Sequence, residues 1–307
     1  MNCSAPVALF TFNRPRHTAL ALDALHANLE ARNTQLIVFS DGPRDDKDLD
    51  AIAEVRRLIS AAQGFRDVIL VKREKNLGLA RSIIQGVSEV CASHGQAIVL
   101  EDDIIVSPCF LNYVNNALQL YEEDERVLSI GCYTFPVPTV LPETFFLKIP
   151  DCWGWAVWKR AWDLFEPDGT KLLAQIKEQG LEGRFDLDGA YPYTRMLAEQ
   201  TIGKNNSWAI CWYAQALLLD KLTLYPGRSV TRNIGMDASG VHSGSSSHYE
   251  VEIAREPIHV CPVPVDEHIE ARAAFSAFLS RQRGSFAQRV GATVSGFLAG
   301  RKRFLEL

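Results

Sequence analysis

The sequence predicts an α/β fold in which a mixed, mostly parallel sheet has helices on both faces. Four apolar segments rich in β-branched residues alternate with three segments whose apolar residues recur at helical spacing. The strand candidates are apolar throughout rather than alternating, which is typical of strands buried on both faces. Strands that alternate with helices of this length form βαβ units, and such units build a parallel sheet.

The first hundred residues supply these elements in a regular order. The predicted strands cover residues 6–12, 35–41, 67–74 and 97–103, and the predicted helices cover residues 16–31, 48–62 and 78–93. Three of the strands end in the polar stretches TFNRPR, SDGPR and EDD. Because ligands of parallel sheets bind at the carboxyl ends of the strands, we expect a binding site at this edge.

The regular alternation ends in the second half of the chain. Residues 107–124 predict one more helix and residues 126–135 one more strand, whereas residues 232–250 are rich in Gly and Ser and predict a loop. Four of the six tryptophans lie within residues 151–167. The second half therefore appears as an extension of the same sheet, so we expect a single domain over residues 1–265.

The remaining residues, 266–307, predict a basic amphipathic helical tail. Between residues 271 and 305 there are seven Lys or Arg residues and no acidic residue, with apolar residues at helical spacing. Such a helix can lie on an anionic membrane surface. It can equally pack its apolar face on the domain and leave its arginines in solvent. Both interpretations remain open at the level of the sequence.

Composition and charge restrict the class of protein. The 307 residues carry a net charge of −5, which argues against a surface built to bind nucleic acid. No stretch of about 18 uncharged apolar residues occurs, and the N-terminus lacks the basic and apolar regions of a signal peptide. We therefore expect a cytoplasmic protein, and a basic tail that lies on a membrane would place it at the inner membrane face.

Three adjacent carboxylates, Glu101, Asp102 and Asp103, follow the fourth predicted strand. Oxygen ligands of this kind suit a hard divalent cation such as Mg²⁺ or Mn²⁺. Alternation along a strand would place Glu101 and Asp103 on one side and Asp102 on the other. The alternative is that the acids only cap the helix predicted to begin near Ser107.

The segment VLEDDIIVSPCFLNYV resembles the acidic DXD-type motif of glycosyltransferases with the GT-A fold. It is similar to bacterial family 2-type sugar transferases and to the N-acetylglucosaminyltransferase I group. Further resemblances follow in the family's order, namely ALFTFNRPRHTALALDAL, VFSDGPR, EKNLGLARSI, CWGWAVWKRAW and NIGMDASGVHSG. The likeness covers roughly residues 5–245, and its ordered set of motifs is more specific than any one of them.

The resemblance implies roles for particular residues. It implies a Rossmann-like GT-A fold with a nucleotide-sugar half at residues 1–130 and an acceptor half at residues 131–265. Asp103 is implied as the direct metal ligand, and His242 as a second metal ligand in the late loop. The residues implied to bind the nucleotide sugar are Thr11, Asn13, Arg14, Asp41, Arg81, Glu101 and Asp102. Arg14 and Asp41 would contact the base, Arg81 the diphosphate or sugar, and Glu101 and Asp102 the ribose and sugar.

Trp153 and Trp155 are candidates for an acceptor platform. They flank Gly154, which lets a sugar ring approach the backbone and an aromatic face. Packing in the core is the alternative for each ring.

The catalytic base is not assigned by the resemblance. An inverting transferase needs a carboxylate to deprotonate the acceptor hydroxyl. Members of this group place an Asp just ahead of a segment like SWAICW, where this chain has Asn205 and Asn206, and an amide cannot act as a base. The candidates to replace it are the upstream acids Asp186, Asp188 and Glu199.

The resemblance thus implies a metal-dependent hexosyl- or N-acetylhexosaminyltransferase of polysaccharide assembly. It would move a sugar from a nucleotide-diphosphate donor, a UDP-sugar, to a glycan or lipid-linked acceptor with inversion. Two alternatives remain. A sugar nucleotidyltransferase normally has a Gly-rich phosphate loop after the first strand, and TFNRPRH has no glycine. A non-catalytic glycan-binding protein with the same fold agrees with the amide at Asn206.

Overall fold

The computed structural model describes residues 4–236 and 247–282. The first half consists of alternating strands and helices, as predicted. Its elements are β1 (Val7–Thr11), α1 (Pro15–His26), β2 (Gln35–Ser40), α2 (Leu49–Ala61), β3 (Asp67–Lys72), α3 (Leu79–His94) and β4 (Gln96–Glu101). The predicted fourth strand is shorter than expected because the chain turns after Glu101, so Asp102 and Asp103 lie outside it.

The second half adds shorter strands and a group of helices. Its elements are β5 (Ile104–Val106), α4 (Phe110–Leu120), β6 (Val127–Gly131), β7 (Thr144–Leu147), β8 (Trp155–Trp158), α5 (Lys159–Trp162), α6 (Gly169–Glu178), α7 (Glu182–Phe185), α8 (Tyr193–Thr201), α9 (Trp208–Leu218), β9 (Leu222–Pro226) and β10 (Thr231–Asn233). A last helix covers residues 269–282 of the described chain.

One sheet of eight strands connects the two halves. Its order is β3-β2-β1-β4-β8-β6-β9-β7. The strands from β3 to β4 are all parallel, whereas β8 is antiparallel to both of its neighbours, β4 and β6. A small antiparallel sheet of β5 and β10 lies beside the end of β4. Since β8 pairs with β4, the second half shares the sheet of the first.

Helices cover both faces of the large sheet. On one face, Leu25 of α1, Val55 of α2 and Val114 of α4 pack in a single apolar cluster with Leu9 of β1. On the other face, Val87 of α3 and Trp212 of α9 pack with Phe10 and Phe39. The predicted architecture, a mixed, mostly parallel α/β sheet between two helical layers, is confirmed.

The described part of the predicted tail packs on the domain. In the helix over residues 269–282, Ala271, Phe275, Phe278 and Leu279 are all buried. Phe275 lies edge-on to Phe145 and Tyr225, and Phe278 stacks on Phe135 at 4.9 Å between ring centroids. This part of the tail therefore follows the second of the two interpretations. The expectation for residues 283–307 falls outside the described residues, as does that for His242.

Among the described residues, no helix combines the length and the apolar character that crossing a bilayer requires.

Candidate functional site

A cleft of about 560 Å³ opens where β1, β2 and β4 end. The first half of the chain supplies its floor through the residues that directly follow these three strands. The second half supplies the opposite wall through Cys152–Trp153, the loop before α9 and the segment after β10. Among the predicted site residues, those that line the cleft are Thr11, Asn13, Arg14, Asp41, Glu101, Asp102, Asp103 and Trp153. The strand-end location predicted for the site agrees with the position of this cleft.

The three carboxylates do not alternate along a strand. Glu101 is the last residue of β4, and Asp102 and Asp103 form a tight turn into β5. Both aspartates face the same partner, since Nη2 of Arg14 donates to Asp102 Oδ1 at 2.6 Å and to Asp103 Oδ2 at 2.8 Å. The expectation that Asp102 lies opposite Asp103 is therefore wrong, because a turn does not follow the two-residue period of a strand.

Burial and neighbouring negative charge raise the pKa of two carboxyl groups in this turn. Burial raises the pKa of Asp102 to about 6, although the guanidinium of Arg14 acts in the other direction. Burial, together with Asp103 and Asp102, raises the pKa of Glu101 well above its usual value. Three carboxyl groups beside a single guanidinium leave an excess of negative charge, so the turn favours an additional cation or bound proton.

One carboxylate oxygen of this turn has no partner in the described chain. Asp103 is only 9% exposed, yet its Oδ1 atom receives no hydrogen bond. Gly235 lies so close that a Cβ there would be 2.1 Å from Asp103 Oδ2, so a side chain at 235 would press on this carboxylate. Among the described residues, no group of three or more His, Cys, Asp or Glu side chains is arranged to hold a metal. A cation at Asp103 Oδ1 would therefore need most of its ligands from water and a substrate, which is how Mg²⁺ is usually bound to phosphates.

Asp41 is engaged by the backbone rather than free to bind a base. Its Oδ1 accepts from the N–H groups of Gly42 and Leu77, both at 2.9 Å, and its Oδ2 accepts from that of Gly78 at 3.0 Å. These bonds fix the loop between β3 and α3, and that loop contributes Asn76, Gly78 and Leu79 to the cleft wall. The structure thus gives Asp41 a positioning role.

Thr11 and Asn13 both line the cleft but differ in their partners. Thr11 is only 4% exposed, and its hydroxyl has no hydrogen-bond partner among the described residues. Asn13 donates to Asp48, which is itself held by a two-pronged ion pair with Arg44. The hydrogen bonds from Arg44 keep the pKa of Asp48 well below its usual value.

Arg81 does not line the cleft. It is exposed in the first turn of α3, whereas its neighbours Ala80 and Ser82 both face the cleft. Its predicted contact with the diphosphate or sugar is therefore not supported by its position.

The two candidate acceptor tryptophans have different environments. Trp153 lines the cleft and lies edge-on to Tyr133 and Tyr249, at 4.6 and 5.6 Å between centroids. Trp155 is 1% exposed and packs against Trp162, Trp208 and Trp212 in the core. Trp155 is thus not an acceptor platform, because β8 turns it away from the cleft.

Gly154, between these two tryptophans, lies where a side chain would not fit. Its φ of +87° lies in the region that favours glycine, and a Cβ there would be 2.7 Å from Thr231 Cγ2. The glycine therefore lets β10 approach the start of β8.

The three candidate bases lie outside the cleft lining. Asp186 accepts from the N–H of Thr194, Asp188 pairs with Arg272 at 2.9 Å, and Glu199 pairs with Arg195 on the same helix. Asn205 and Asn206 do line the cleft, at the position where the resemblance places the base. Within the described chain, the carboxylates that line the cleft are Asp41, Glu101, Asp102 and Asp103.

Several lining residues were not predicted from the sequence. They are Phe10, Phe12, Arg44, Asn76, Gly78, Leu79, Ala80, Ser82, Cys152, Met196, Ser207, Trp208, Ala209, Asn233, Gly235 and Met236. Ser82 is buried, and its hydroxyl has no hydrogen-bond partner among the described residues. Arg44 was the most accessible to prediction, since it belongs to the strand-end stretch SDGPR.

Comparison with known proteins gives no match by sequence. No family model and no curated protein sequence matches the chain. Among solved structures, residues 1–349 of TarS from S. aureus align with 73% of this chain and 60% of their own length, at 10% identity and a TM-score of 0.39. The alignment thus spans less than two thirds of that TarS chain.

Two further solved structures have nucleotide sugars in their complexes. The mannosyltransferase PcManGT from Pyrobaculum calidifontis, in complex with GDP-Man and Mn²⁺, aligns with 70% of this chain and 74% of its own, at 15% identity and a TM-score of 0.37. A UDP-glucose pyrophosphorylase complexed with UDP-glucose covers 72% of this chain and 89% of its own, at 11% identity and a TM-score of 0.35. At such identities and TM-scores below 0.5, these likenesses do not extend to an activity.

Proposed function

We propose that this protein is a GT-A glycosyltransferase that binds a nucleotide-diphosphate sugar, a UDP-sugar, with Mn²⁺ or Mg²⁺. The observation that carries the proposal is the acid turn, Glu101–Asp103, at the floor of the cleft, where the buried Asp103 Oδ1 has no hydrogen-bond partner among the described residues. A carboxylate in this state favours a cation, and a cation held by so few protein ligands favours a diphosphate that completes its shell.

The donor would lie across the ends of the parallel strands. The buried hydroxyl of Thr11 and the loop held by Asp41 face the part of the cleft proposed for the nucleoside. The resemblance implied a contact between Arg14 and the base, but Arg14 is paired with Asp102 and Asp103, so we assign its guanidinium to phosphate oxygens instead. Glu101 and Asp102 offer oxygens for sugar hydroxyls. When bound, the cation would neutralise charge on the leaving diphosphate.

The acceptor would enter from the side of Trp153. Its ring, fixed by Tyr133 and Tyr249, offers an apolar face to a glycan or to the sugar of a lipid-linked acceptor. Attack from that side, opposite the diphosphate, would invert the anomeric carbon. Residues 1–130 would thus serve the donor and residues 131–265 the acceptor.

Thermal unfolding tests the donor assignment. UDP-, GDP- and dTDP-sugars are each added with Mn²⁺, and we expect a UDP-sugar to raise the melting temperature by about 5 °C at saturation. Asp103→Ala should lose the metal-dependent part of this shift, whereas Asp46→Ala, an exposed acid outside the cleft lining, should retain it. A wild-type protein that no nucleotide sugar stabilises would refute the proposal.

A second candidate, a non-catalytic binder of nucleotide sugars, is favoured by one observation. Asn205 and Asn206 occupy the cleft where a base is expected, and the three upstream acids lie elsewhere. Release of UDP from a donor that stabilises the protein separates the two functions. Release that depends on metal supports the transferase, and stabilisation without release supports the binder.

A further inference from the structure

The contact between Arg14 and the acid turn leaves two buried polar atoms of opposite character unused. Arg14 Nη2 bonds to both Asp102 and Asp103, but its Nη1 is buried and has no partner in the described chain. Asp103 uses Oδ2 for Arg14, and its Oδ1 also has no partner. A donor and an acceptor thus remain unsatisfied on the same ion pair, which is costly unless a ligand completes them.

A divalent cation alone does not satisfy this pair. It would bind Asp103 Oδ1 while the guanidinium remained on Oδ2 of the same carboxylate, and the two positive groups would repel each other in a poorly solvated site. It would also leave Arg14 Nη1 without an acceptor. The guanidinium therefore competes with a cation for Asp103.

A diphosphate can satisfy both Arg14 Nη1 and a cation bound at Asp103 Oδ1. Its oxygens can accept from the guanidinium, for which a two-pronged phosphate contact is a strong alternative to a carboxylate. Other oxygens of the same group can complete the shell of a cation on Asp103. Movement of Arg14 towards the diphosphate then frees Asp103 Oδ2 as well.

We propose that Arg14 is the resident counter-ion of Asp102 and Asp103, and that the diphosphate of the donor draws it away so that cation and diphosphate bind as a pair. This inference rests on the proposed function for the identity of the diphosphate. Linkage requires that each ligand raise the affinity for the other by the same factor, for which 5–150-fold is a typical range.

The test compares two binding measurements on Arg14→Met. The first is Mn²⁺ binding to the nucleotide-free protein, followed by the electron paramagnetic resonance signal of free Mn²⁺. We expect the variant to bind Mn²⁺ roughly tenfold more tightly than wild type, because the competing guanidinium is gone. The second is UDP binding in EDTA by calorimetry, which we expect to be about tenfold weaker, because a charge-assisted bond to phosphate is lost.

The opposite signs of the two changes distinguish this role from a merely structural one. Damage to the fold would weaken both ligands, and thermal unfolding checks that the variant is folded. Arg16→Met, at an exposed arginine in the first turn of α1, should change neither affinity. Asp103→Asn should abolish Mn²⁺ binding in the wild-type and Arg14→Met backgrounds, so that the signal of free Mn²⁺ stays at its protein-free level. This verifies that the measured binding takes place at this site.

Arg14→Lys provides a second variant that keeps the charge. An ammonium lacks the planar fork of the guanidinium, so we expect both affinities to lie between those of wild type and Arg14→Met. It also carries the test if the methionine variant does not fold.

Two results would overturn the inference while leaving the proposed function intact. One is a folded Arg14→Met protein that binds Mn²⁺ no more tightly than wild type, and the other is an unchanged affinity for UDP in EDTA. If wild-type protein binds neither UDP nor GDP with Mn²⁺ present, the proposed function is wrong, and the diphosphate part of the inference fails with it.

Discussion

Asp41 accepts a hydrogen bond from the backbone N–H of Leu77 at 2.9 Å and so connects the end of β2 to the loop before α3. Its other oxygen accepts from Gly78 at 3.0 Å. Because this loop forms part of the cleft wall, the carboxylate fixes part of that wall. The backbone N–H groups of 77 and 78 thereby gain a partner that the loop itself does not supply.

Asp41→Asn and Asp41→Ala should therefore differ in stability. Asn retains an oxygen for Gly42 and Leu77 but presents an amide to Gly78, so we expect a loss of roughly 1 kcal/mol in the free energy of unfolding. Ala removes all of these bonds, and we expect a loss of roughly 3 kcal/mol. Urea unfolding measures both values, with Asp46→Asn, at an exposed aspartate between β2 and α2, as the control. Equal stability of the Ala variant and wild type would contradict this role.

The same pair of variants also tests how Asp41 affects binding. We expect the affinity for a nucleotide diphosphate to fall in the order wild type, Asn, Ala, following the order of stability. If Asp41 instead contacted the base directly, the Asn variant would lose affinity without a matching loss of stability.

Substitution of the two tryptophans beside Gly154 should separate packing from binding. Trp155→Ala leaves a cavity among Trp162, Trp208 and Trp212, so we expect a loss of about 3–5 kcal/mol in the free energy of unfolding. Trp153 is half-buried at the cleft, and its replacement by Ala should cost about 1–2 kcal/mol. Thermal and urea unfolding give these values. A Trp153→Ala protein as unstable as Trp155→Ala would show that Trp153 is also a core residue.

Under the proposed function, the upstream acids should be dispensable for sugar transfer. Asp186, Asp188 and Glu199 each have a partner away from the cleft lining. We therefore expect Asp186→Asn, Asp188→Asn and Glu199→Gln to release UDP from the donor at rates within about threefold of wild type, since about 0.6 kcal/mol of barrier corresponds to such a change. A loss of a hundredfold or more in any one of them would identify the base and contradict its observed position.

The sheet was predictable because three of its first four strands, β1, β2 and β4, are buried on both faces, whereas the edge strand β3 is partly exposed. Val7–Thr11 and Gln35–Ser40 are apolar along most of their length, and this leaves few alternatives to a parallel strand between helices. The second half was less predictable. β7 and β8 have four residues each, too few for a periodic pattern to show.

The sheet edge that carries the candidate site was predictable, but the hydrogen-bond partners of the side chains at that edge were not. Parallel strands bring their carboxyl ends together, so the positions of Asp41 and the acid turn follow from chain order. The ion pair of Arg14 with Asp102 and Asp103 depends on a turn whose geometry the residue types do not specify. Likewise, residue type cannot distinguish the two tryptophans on either side of Gly154. Only the path of β8 shows that Trp155 packs in the core.

Asp151 provides a prediction about pH dependence. It is 7% exposed, and its oxygens accept from the backbone N–H groups of Cys132, Tyr133 and Trp153, at 2.9, 2.7 and 2.9 Å. These bonds join the end of β6 to the segment that carries Trp153. Burial nevertheless outweighs them and raises the pKa of Asp151 from 3.8 to about 6.

The sign of the effect follows from proton linkage. Because the folded protein holds the proton on Asp151 more tightly than the unfolded chain does, this residue stabilises the fold less as pH rises from about 4 to about 6. The stability of wild type relative to Asp151→Asn should therefore decrease across that window, by on the order of 3 kcal/mol at most. Urea unfolding at a series of pH values measures this difference.

Asp124→Asn is a control of opposite sign, because hydrogen bonds from Arg126 lower the pKa of Asp124. The stability of wild type relative to that variant should increase as pH rises through the pKa of Asp124. A difference between wild type and Asp151→Asn that stays constant from pH 4 to pH 7 would show that Asp151 is not held in the low-polarity environment that the structure describes.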